Sequence, residues 1–324
     1  MSSLASEVPA VRVGVIGLGR RGMHHLERLS LRSDMIAVAA HDADPGRAPL
    51  AAAFGARFHR TPIHLLRDPE VEAVLVATPA ATHHSHVVNA VGAGKHAIVE
   101  RPLCETPRQA DVMLAAAHES GRRLAVLQPR RWDDDFRTAL DAVRTGKLGE
   151  LKQARLIVWG LGCWEDEEAS GGVLLDRGAD YFDQLVQFIP SRPIRIFARL
   201  GPLDPATGAE RGFTAIVDFE NGAEAHLDVD LDHPAELRAG WTLAGTAGAY
   251  RRFQHYSIAE DGEVIDVPLE PLPSEGDRMY EEIVAHLRRG APLAVTPEQS
   301  RAVVALLDAS RRSARLGQPL AFGD

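Results

Sequence analysis

VRVGVIGLGRRG, residues 11–22, carries the sharpest signal in the chain. Val11 to Ile16 is a short apolar run of strand length. Directly after it comes Gly17-x-Gly19-x-x-Gly22, and a helix is expected beyond Gly22. In that order the three glycines have separate tasks. Gly17 allows a tight turn, Gly19 lets the backbone approach a pyrophosphate, and Gly22 permits close helix–strand packing. The helix N-terminus then attracts the anion. Asp42 ends the second expected strand, 20 residues after Gly22. An acid there accepts hydrogen bonds from both ribose hydroxyls and repels a 2′-phosphate, so NAD is expected over NADP. Arg20 and Arg21 keep NADP open, because a nearby guanidinium pairs well with a phosphate.

Outward from this turn, strand and helix alternate through about residue 130. Met35–Ala40, Glu72–Ala77, Ala97–Glu100 and Arg123–Gln128 are the further strands. EAVLVA (72–77) is a continuous apolar run of the kind buried on both faces of a parallel sheet. Thr106-Pro107-Arg108-Gln109 is a helix start, with Thr at the N-cap, Pro at N1 and Gln at N3. Repeated units of this length imply a doubly wound α/β domain over 11–130. Beyond about Lys147 the pattern changes to hairpins. Strands are expected at 152–159, 194–200, 214–219 and 223–231, with Asn221-Gly222 turning between the last two. Asp261-Gly262 turns between two more, 256–259 and 263–268. A mainly antiparallel, open-faced sheet is therefore expected in an α+β domain over 131–324. Two helices close the chain, at about 277–289 and 297–316.

Length and composition bound the function. At 324 residues the chain exceeds a usual single core, so two domains are expected. A net charge of −9 and the lack of a basic stripe argue against a nucleic-acid partner. No run of about 18 apolar residues exists, so no membrane span is expected. The start, MSSLASEVPA, has neither a basic region nor an apolar one, and a short disordered tail is expected over 1–10. Two cysteines, Cys104 and Cys163, make no disulfide framework, and a cytoplasmic location is expected.

DRGADYFD, residues 176–183, raises a separate question. Asp176, Asp180 and Asp183 share one helical face, with Phe182, Leu185 and Ile189 on roughly the other. Alone, the stretch leaves open whether that face is solvated or does chemistry.

ATPAATHHSHVVNAVGAGKHAIVERPL (77–103) resembles a signature of the Gfo/Idh/MocA oxidoreductases, dehydrogenases of sugars, inositols and similar polyols. Thr78, Pro79, His83, Gly94, Lys95, His96, Glu100 and Pro102 match its pattern. QPRRWDDDF (128–136), GKLGEL (146–151), SGGVLLDRGADYFD (170–183), GTAGAYR (245–251) and ASRRSARLGQPLAF (309–322) are similar to further family elements. The resemblance implies a Rossmann domain with cofactor contacts at Thr78, Pro79, His83 and Glu100. It implies hydride transfer between nicotinamide and a carbinol carbon of a small-molecule substrate. It also implies a homodimer or homotetramer through the C-terminal sheet, and a closing helix (297–316) packed back on the Rossmann domain. Four family positions differ. Arg101 stands where a Lys handles the hydroxyl, and Asp180 where a His does; Ala80 and Pro129 replace two nearby asparagines.

So aligned, the three acids face the substrate, with Arg101, Asp176 and Asp180 as catalytic candidates. Arg101 can polarise an oxygen but cannot act as a base. Asp180 serves as one only if burial or a neighbouring carboxylate raises its pKa. An Asp176–Arg101–Asp180 salt-bridge network without chemistry is the competing reading. Arg131, Trp132, Trp164 and Asp183 are the candidate substrate contacts. Arg131 and Trp132 equally fit a packed domain junction, and Trp164 with Glu165–Glu168 a solvated acidic loop. His83, His84 and His86 lack evident second ligands for a metal, and none is expected. The function expected is an NAD(P)-dependent oxidoreductase of a sugar, polyol or related hydroxy compound. The alternative is a catalytically inactive NAD-binding sensor or regulator of the same family.

Overall fold

A computed structural model describes residues 9–160, 171–233, 237–258 and 263–322. The expected N-terminal tail, Cys163, Trp164, the acidic run 165–168 and the Asp261-Gly262 turn lie outside the described residues, apart from Pro9 and Ala10.

Along the chain the elements are β1 (Val11–Ile16), α1 (Arg20–Ser30), β2 (Met35–His41), α2 (Ala48–Ala53), β3 (Arg57–Phe58), α3 (Pro62–Arg67), β4 (Ala73–Val76), α4 (Ala80–Gly92), β5 (His96–Glu100), α5 (Pro107–Glu119) and β6 (Leu124–Leu127). There follow α6 (Asp134–Arg144), β7 (Leu151–Trp159), α7 (Val173–Phe188), β8 (Pro193–Leu200), β9 (Gly212–Phe219) and β10 (Glu224–Asp230). The chain continues with β11 (Leu237–Gly245), β12 (Gly248–Arg251), β13 (Gln254–Ile258), β14 (Val264–Pro268), α8 (Arg278–Arg289), α9 (Pro297–Leu316) and β15 (Leu320–Ala321). They form two compact units, one of residues 1–127 with 277–301, the other of 128–276 with 302–324.

In the first unit, six parallel strands run in the order β3-β2-β1-β4-β5-β6. Every residue of β4 and β6 is buried, as apolar strands covered on both faces require. The order reverses between β2 and β4 around β1, so the glycine-rich turn after β1 sits at the topological switch point. Thr106 and Gln109 form a reciprocal capping box at the start of α5. Residues 277–301, assigned by sequence to the second domain, belong to this unit. The reason is α8, whose buried face carries Tyr280, Ile283, Val284 and Leu287, while Arg288 binds Glu72 at 2.9 Å.

In the second unit, nine strands run in the order β14-β13-β12-β11-β7-β10-β9-β8-β15. All pairs are antiparallel except β7 with β10, a parallel pair joined through α7, β8 and β9. Asn221-Gly222 does turn between β9 and β10, with Gly222 at φ +78°. Ala225, Leu227 and Val229 point to the core and Glu224, His226, Asp228 and Asp230 away from it, the alternation of a sheet with one covered face. Phe136, Phe188 and Trp241 pack there with centroids 5.3 and 5.2 Å apart. Of α9, the first turn through Arg301 goes with the first unit, where Arg301 binds Asp111 at 2.9 Å. From Ala302 on it goes with the second, with Val303, Leu306 and Leu307 in that core. Among the described residues no helix is long and apolar enough to cross a membrane.

Candidate active site

The turn after β1 is shaped by contacts that only glycine permits. Gly17 has φ +93°, and a Cβ there would lie 2.7 Å from the Ala77 carbonyl oxygen. A Cβ on Gly22 would lie 1.8 Å from the Gly17 carbonyl oxygen, an impossible approach. At Gly19 a Cβ would meet nothing within 4 Å. Glycine there leaves open space at the N-cap of α1, whose cap makes no side-chain hydrogen bond and whose first turn has no acid. Backbone N–H groups with no side-chain cap, next to open space, suit an anionic pyrophosphate.

Asp42 is built into the same turn. Its Oδ2 accepts from the Leu18 N–H at 2.6 Å and its Oδ1 from the Asp44 N–H at 2.8 Å. A carboxylate has about four lone-pair sites, so capacity remains for ribose hydroxyls. The guanidinium beside Asp42 is Arg47, which the sequence reading missed. Its Nη1 donates to the Leu18 carbonyl at 2.6 Å and its Nε lies 3.9 Å from Asp42. Arg21, offered by sequence for a 2′-phosphate, donates instead to Glu100 at 3.0 Å. Arg20 is exposed at the first position of α1.

Behind the turn lies a buried polar chain. Tyr280 Oη is 2.7 Å from His25 Nδ1, and His25 Nε2 is 2.8 Å from Glu100 Oε1. Glu100 Oε2 accepts from Arg21 and from the Arg101 N–H at 3.1 Å. Burial pushes the Glu100 carboxyl up, but Arg21, His25 and Arg101 together hold it well below the usual carboxylate range. Nothing in the sequence pattern pairs His25 with Tyr280, which are 255 residues apart. His83 is 1% exposed, and its two ring nitrogens face the carbonyls of Thr78 and Pro102 at 2.8 and 2.9 Å. It therefore ties the Thr78-Pro79 turn, where Pro79 is the N-cap of α4, to the Arg101–Pro102 segment. Burial lowers its pKa, so the neutral ring donates to one carbonyl at a time. Arg101 is itself buried. Burial pushes the Cys104 thiol up to about 12, which makes it inert at neutral pH.

In the second unit, α7 carries the acids. Gly171 and Gly172, at φ +91° and +99°, lead into the helix. Glu210 caps it, its side chain accepting from the Leu174 N–H at 2.9 Å and its carbonyl from the Val173 N–H at 3.1 Å. Sequence suggested an acidic face opposite an apolar one, but α7 is buried nearly all round, and Asp176, Asp180 and Asp183 are only 3%, 1% and 2% exposed. Each acid lies near an arginine. Asp183 takes a bidentate pair from Arg131, both bonds 2.7 Å. Arg130 Nε lies 3.2 Å from Asp180, and Arg177 Nε lies 3.4 Å from Asp176. Arg131 and Asp183, both expected to touch substrate, thus hold each other. Trp132 is buried, its carbonyl accepting from the Glu275 N–H at 2.9 Å. Gln184 accepts from Trp241 Nε1 at 2.7 Å.

A fourth acid, Asp133, joins this group. Arg130 Nη1 lies 3.8 Å from it, so one guanidinium lies between Asp133 and Asp180. Burial first, then the repulsion of Asp135, Asp180 and Asp134, raises Asp133 to about 6 against the pull of Arg130. Its side chain is still 42% exposed. In sequence Asp133 lies within the family-like element 128–136, and nothing local distinguishes it from Asp134 and Asp135.

A switch-point glycine turn with an acid, Asp42, directly after the second strand defines a dinucleotide-binding domain. The chain belongs to the GFO/IDH/MocA family. Residues 11–128 match "Oxidoreductase family, NAD-binding Rossmann fold", and residues 136–251 match "GFO/IDH/MocA C-terminal domain". The chain is 27% identical over 229 residues to 1-carboxy-3-chloro-3,4-dihydroxycyclohexa-1,5-diene dehydrogenase of Comamonas testosteroni, a match spanning 67% of this chain and 57% of that enzyme. It is 25% identical over 303 residues to scyllo-inositol 2-dehydrogenase (NADP(+)) IolW of Bacillus subtilis, covering 78% and 79% of the two chains. Its fold superposes on GenD2 from gentamicin A biosynthesis, solved in complex with NAD, with a TM-score of 0.81, 26% identity and coverage of 98% and 97%. The first unit is accordingly an NAD-binding Rossmann domain.

Proposed function

We propose that this chain transfers a hydride between NAD(P) and a CH–OH carbon of a sugar, polyol or related small hydroxy compound. The observation that carries the reading is the Asp180–Arg130–Asp133 cluster: a carboxylate raised to about 6 sharing an arginine with a buried one, in the element where the family resemblance puts a histidine. When bound, the nicotinamide supplies the hydride acceptor in oxidation and the donor in reduction. Arg101, at the position where the family resemblance puts a lysine, keeps its guanidinium protonated and so takes no proton. Asp180 receives the hydroxyl proton in oxidation, and half-exposed Asp133 exchanges it with solvent. Asp176, one turn before Asp180, adds negative charge that favours proton uptake. The Arg131–Asp183 pair fixes the arginine-rich turn that presents Arg130.

The relatives' activities support a polyol or cyclic diol as substrate. Asp42 supports NAD over NADP. The working form is a cytoplasmic homodimer or homotetramer assembled through the C-terminal sheet. Its edge strand β14 exposes Val264, Ile265 and Val267 at 63%, 45% and 43%, which supports a covering partner. The second reading is a catalytically inactive NAD-binding sensor, favoured by Arg101 in place of a lysine. The test screens sugars, polyols and hydroxy acids with NAD, using wild type and Arg101→Lys/Asp180→His. Wild-type turnover supports the enzyme; turnover only in the double variant supports the sensor.

A further inference from the structure

At the N-terminal edge of the parallel sheet, the end opposite the glycine turn, lies a cavity of about 410 Å³ within the first unit. That volume falls among small-molecule sites, about 300–1,000 Å³. The end of α5, the start of β6 and the segment between α8 and α9 line it. Leu114, Ala117, Pro292 and Leu293 give it an apolar body, and Arg122 and Arg123 stand over it.

Some arginines of this unit, Arg12, Arg32, Arg57, Arg288 and Arg301 among them, bind a carboxylate. Others, Arg20, Arg60, Arg67, Arg108 and Arg289 along with the two at the cavity, have no ion pair among the described residues. Arg123 is nonetheless held in place. Its N–H donates to His96 Nδ1 at 3.0 Å, and its guanidinium lies on Gly290, where a Cβ would be 2.9 Å from Nη1. The lining holds one acid, Glu298, against two guanidiniums, with His118 and His286 beside them. The local field is positive: after burial, Arg122, Arg123, His286 and Arg288 lower the pKa of His96. Two guanidiniums without an ion pair over a largely apolar cavity that holds a single acid match an anionic head on a hydrocarbon body.

We propose that this cavity is a second ligand site, for a small carboxylate with a hydrocarbon body, whose carboxylate pairs with Arg122 and Arg123 and whose chain lies on Leu114, Ala117 and Leu293. The site is separate from the dinucleotide turn, so its occupant binds alongside NAD.

The test is calorimetric titration of the full chain, saturated with NAD, using sodium octanoate as probe, with 1-octanol and inorganic phosphate for comparison. Octanoate should bind saturably at one site, at least tenfold tighter than either comparison probe. Arg122→Gln/Arg123→Gln should weaken it at least tenfold, the scale of lost charge-assisted hydrogen bonds, and leave NAD affinity unchanged. Leu293→Asp should weaken it similarly. Absence of saturable octanoate binding, affinity untouched by the arginine variant, phosphate binding as tightly, or displacement of octanoate by NAD would each overturn the proposal.

Discussion

Replacing Asp42 tests the reading of the nucleotide turn. Asp42→Ala removes the acceptor of the Leu18 N–H at 2.6 Å and of the Asp44 N–H at 2.8 Å, together with the charge expected to bind the ribose diol. Hydrogen bonds to a charged group contribute about 1.5–3 kcal/mol each when buried. Asp42 is only partly covered, its side chain 15% exposed, and water replaces part of what is lost. The expected loss in NAD binding is about 1–3 kcal/mol, or roughly 5- to 150-fold in Kd. Removing the charge also removes repulsion of a 2′-phosphate and leaves Arg47 beside the site, so NADP should tighten relative to NAD. Asp42→Asn separates the two roles, because its amide oxygen still accepts from Leu18. Fluorescence titration of both nucleotides, with wild type, both Asp42 variants and Asp42→Ala/Arg47→Ala, gives the ratios. The double variant should lose the NADP gain. Tighter NADP than NAD binding in wild type, or an unchanged NAD Kd in Asp42→Ala, would refute the reasoning.

Three other predictions follow from the geometry. Gly22→Ala forces a Cβ to 1.8 Å from the Gly17 carbonyl oxygen, so NAD binding should be lost in the same titration. Glu100→Gln leaves His25 and Arg21 without their buried anion and should cost about 3–5 kcal/mol in urea unfolding. Because the folded pKa of Glu100 is lowered, its contribution in wild type is present above the unfolded value near 4.5 and is lost as pH falls below it; a Glu100→Gln stability deficit that does not shrink in acid would contradict this. Light scattering at micromolar concentration should show a dimer or tetramer, and Ile265→Asp/Val267→Asp on β14 should reduce its mass; a wild-type monomer would rule the assembly out.

The parallel sheet was legible because its signals are local. Apolar runs of strand length, three glycines in a fixed spacing and the Thr106–Gln109 box each act within a few residues, and the structure places them as expected. The sheet of the second unit was legible only in outline. Hairpin turns such as Asn221-Gly222 mark adjacent strands, but the parallel pairing of β7 with β10 joins segments about 70 residues apart, and no local pattern encodes it. The same limit applies to the site. The acids of DRGADYFD were visible, yet their burial was not, because the three-residue and four-residue spacings of a solvated face and of a buried ion-pair row are identical. Arg130, Arg131 and Asp133 acquire meaning only when the turn after β6 meets α7. His25, Tyr280 and Arg47 were missed for the same reason: single polar residues whose partners lie far along the chain.

The central claim is that carboxylates in the Asp180–Arg130–Asp133 cluster move the substrate proton. The pH dependence of substrate oxidation, once a substrate is found, tests it most directly, with wild type, Asp180→Asn and Asp133→Asn compared. Oxidation needs the deprotonated carboxylate, and Asp133 is raised to about 6, so the wild-type rate should climb as pH rises through about 6. Asp133→Asn should flatten that rise, and Asp180→Asn should lower the rate roughly 10²–10⁴-fold, the usual share of general acid–base catalysis. Wild-type turnover that shows no step near pH 6 and is untouched by Asp180→Asn would contradict the account.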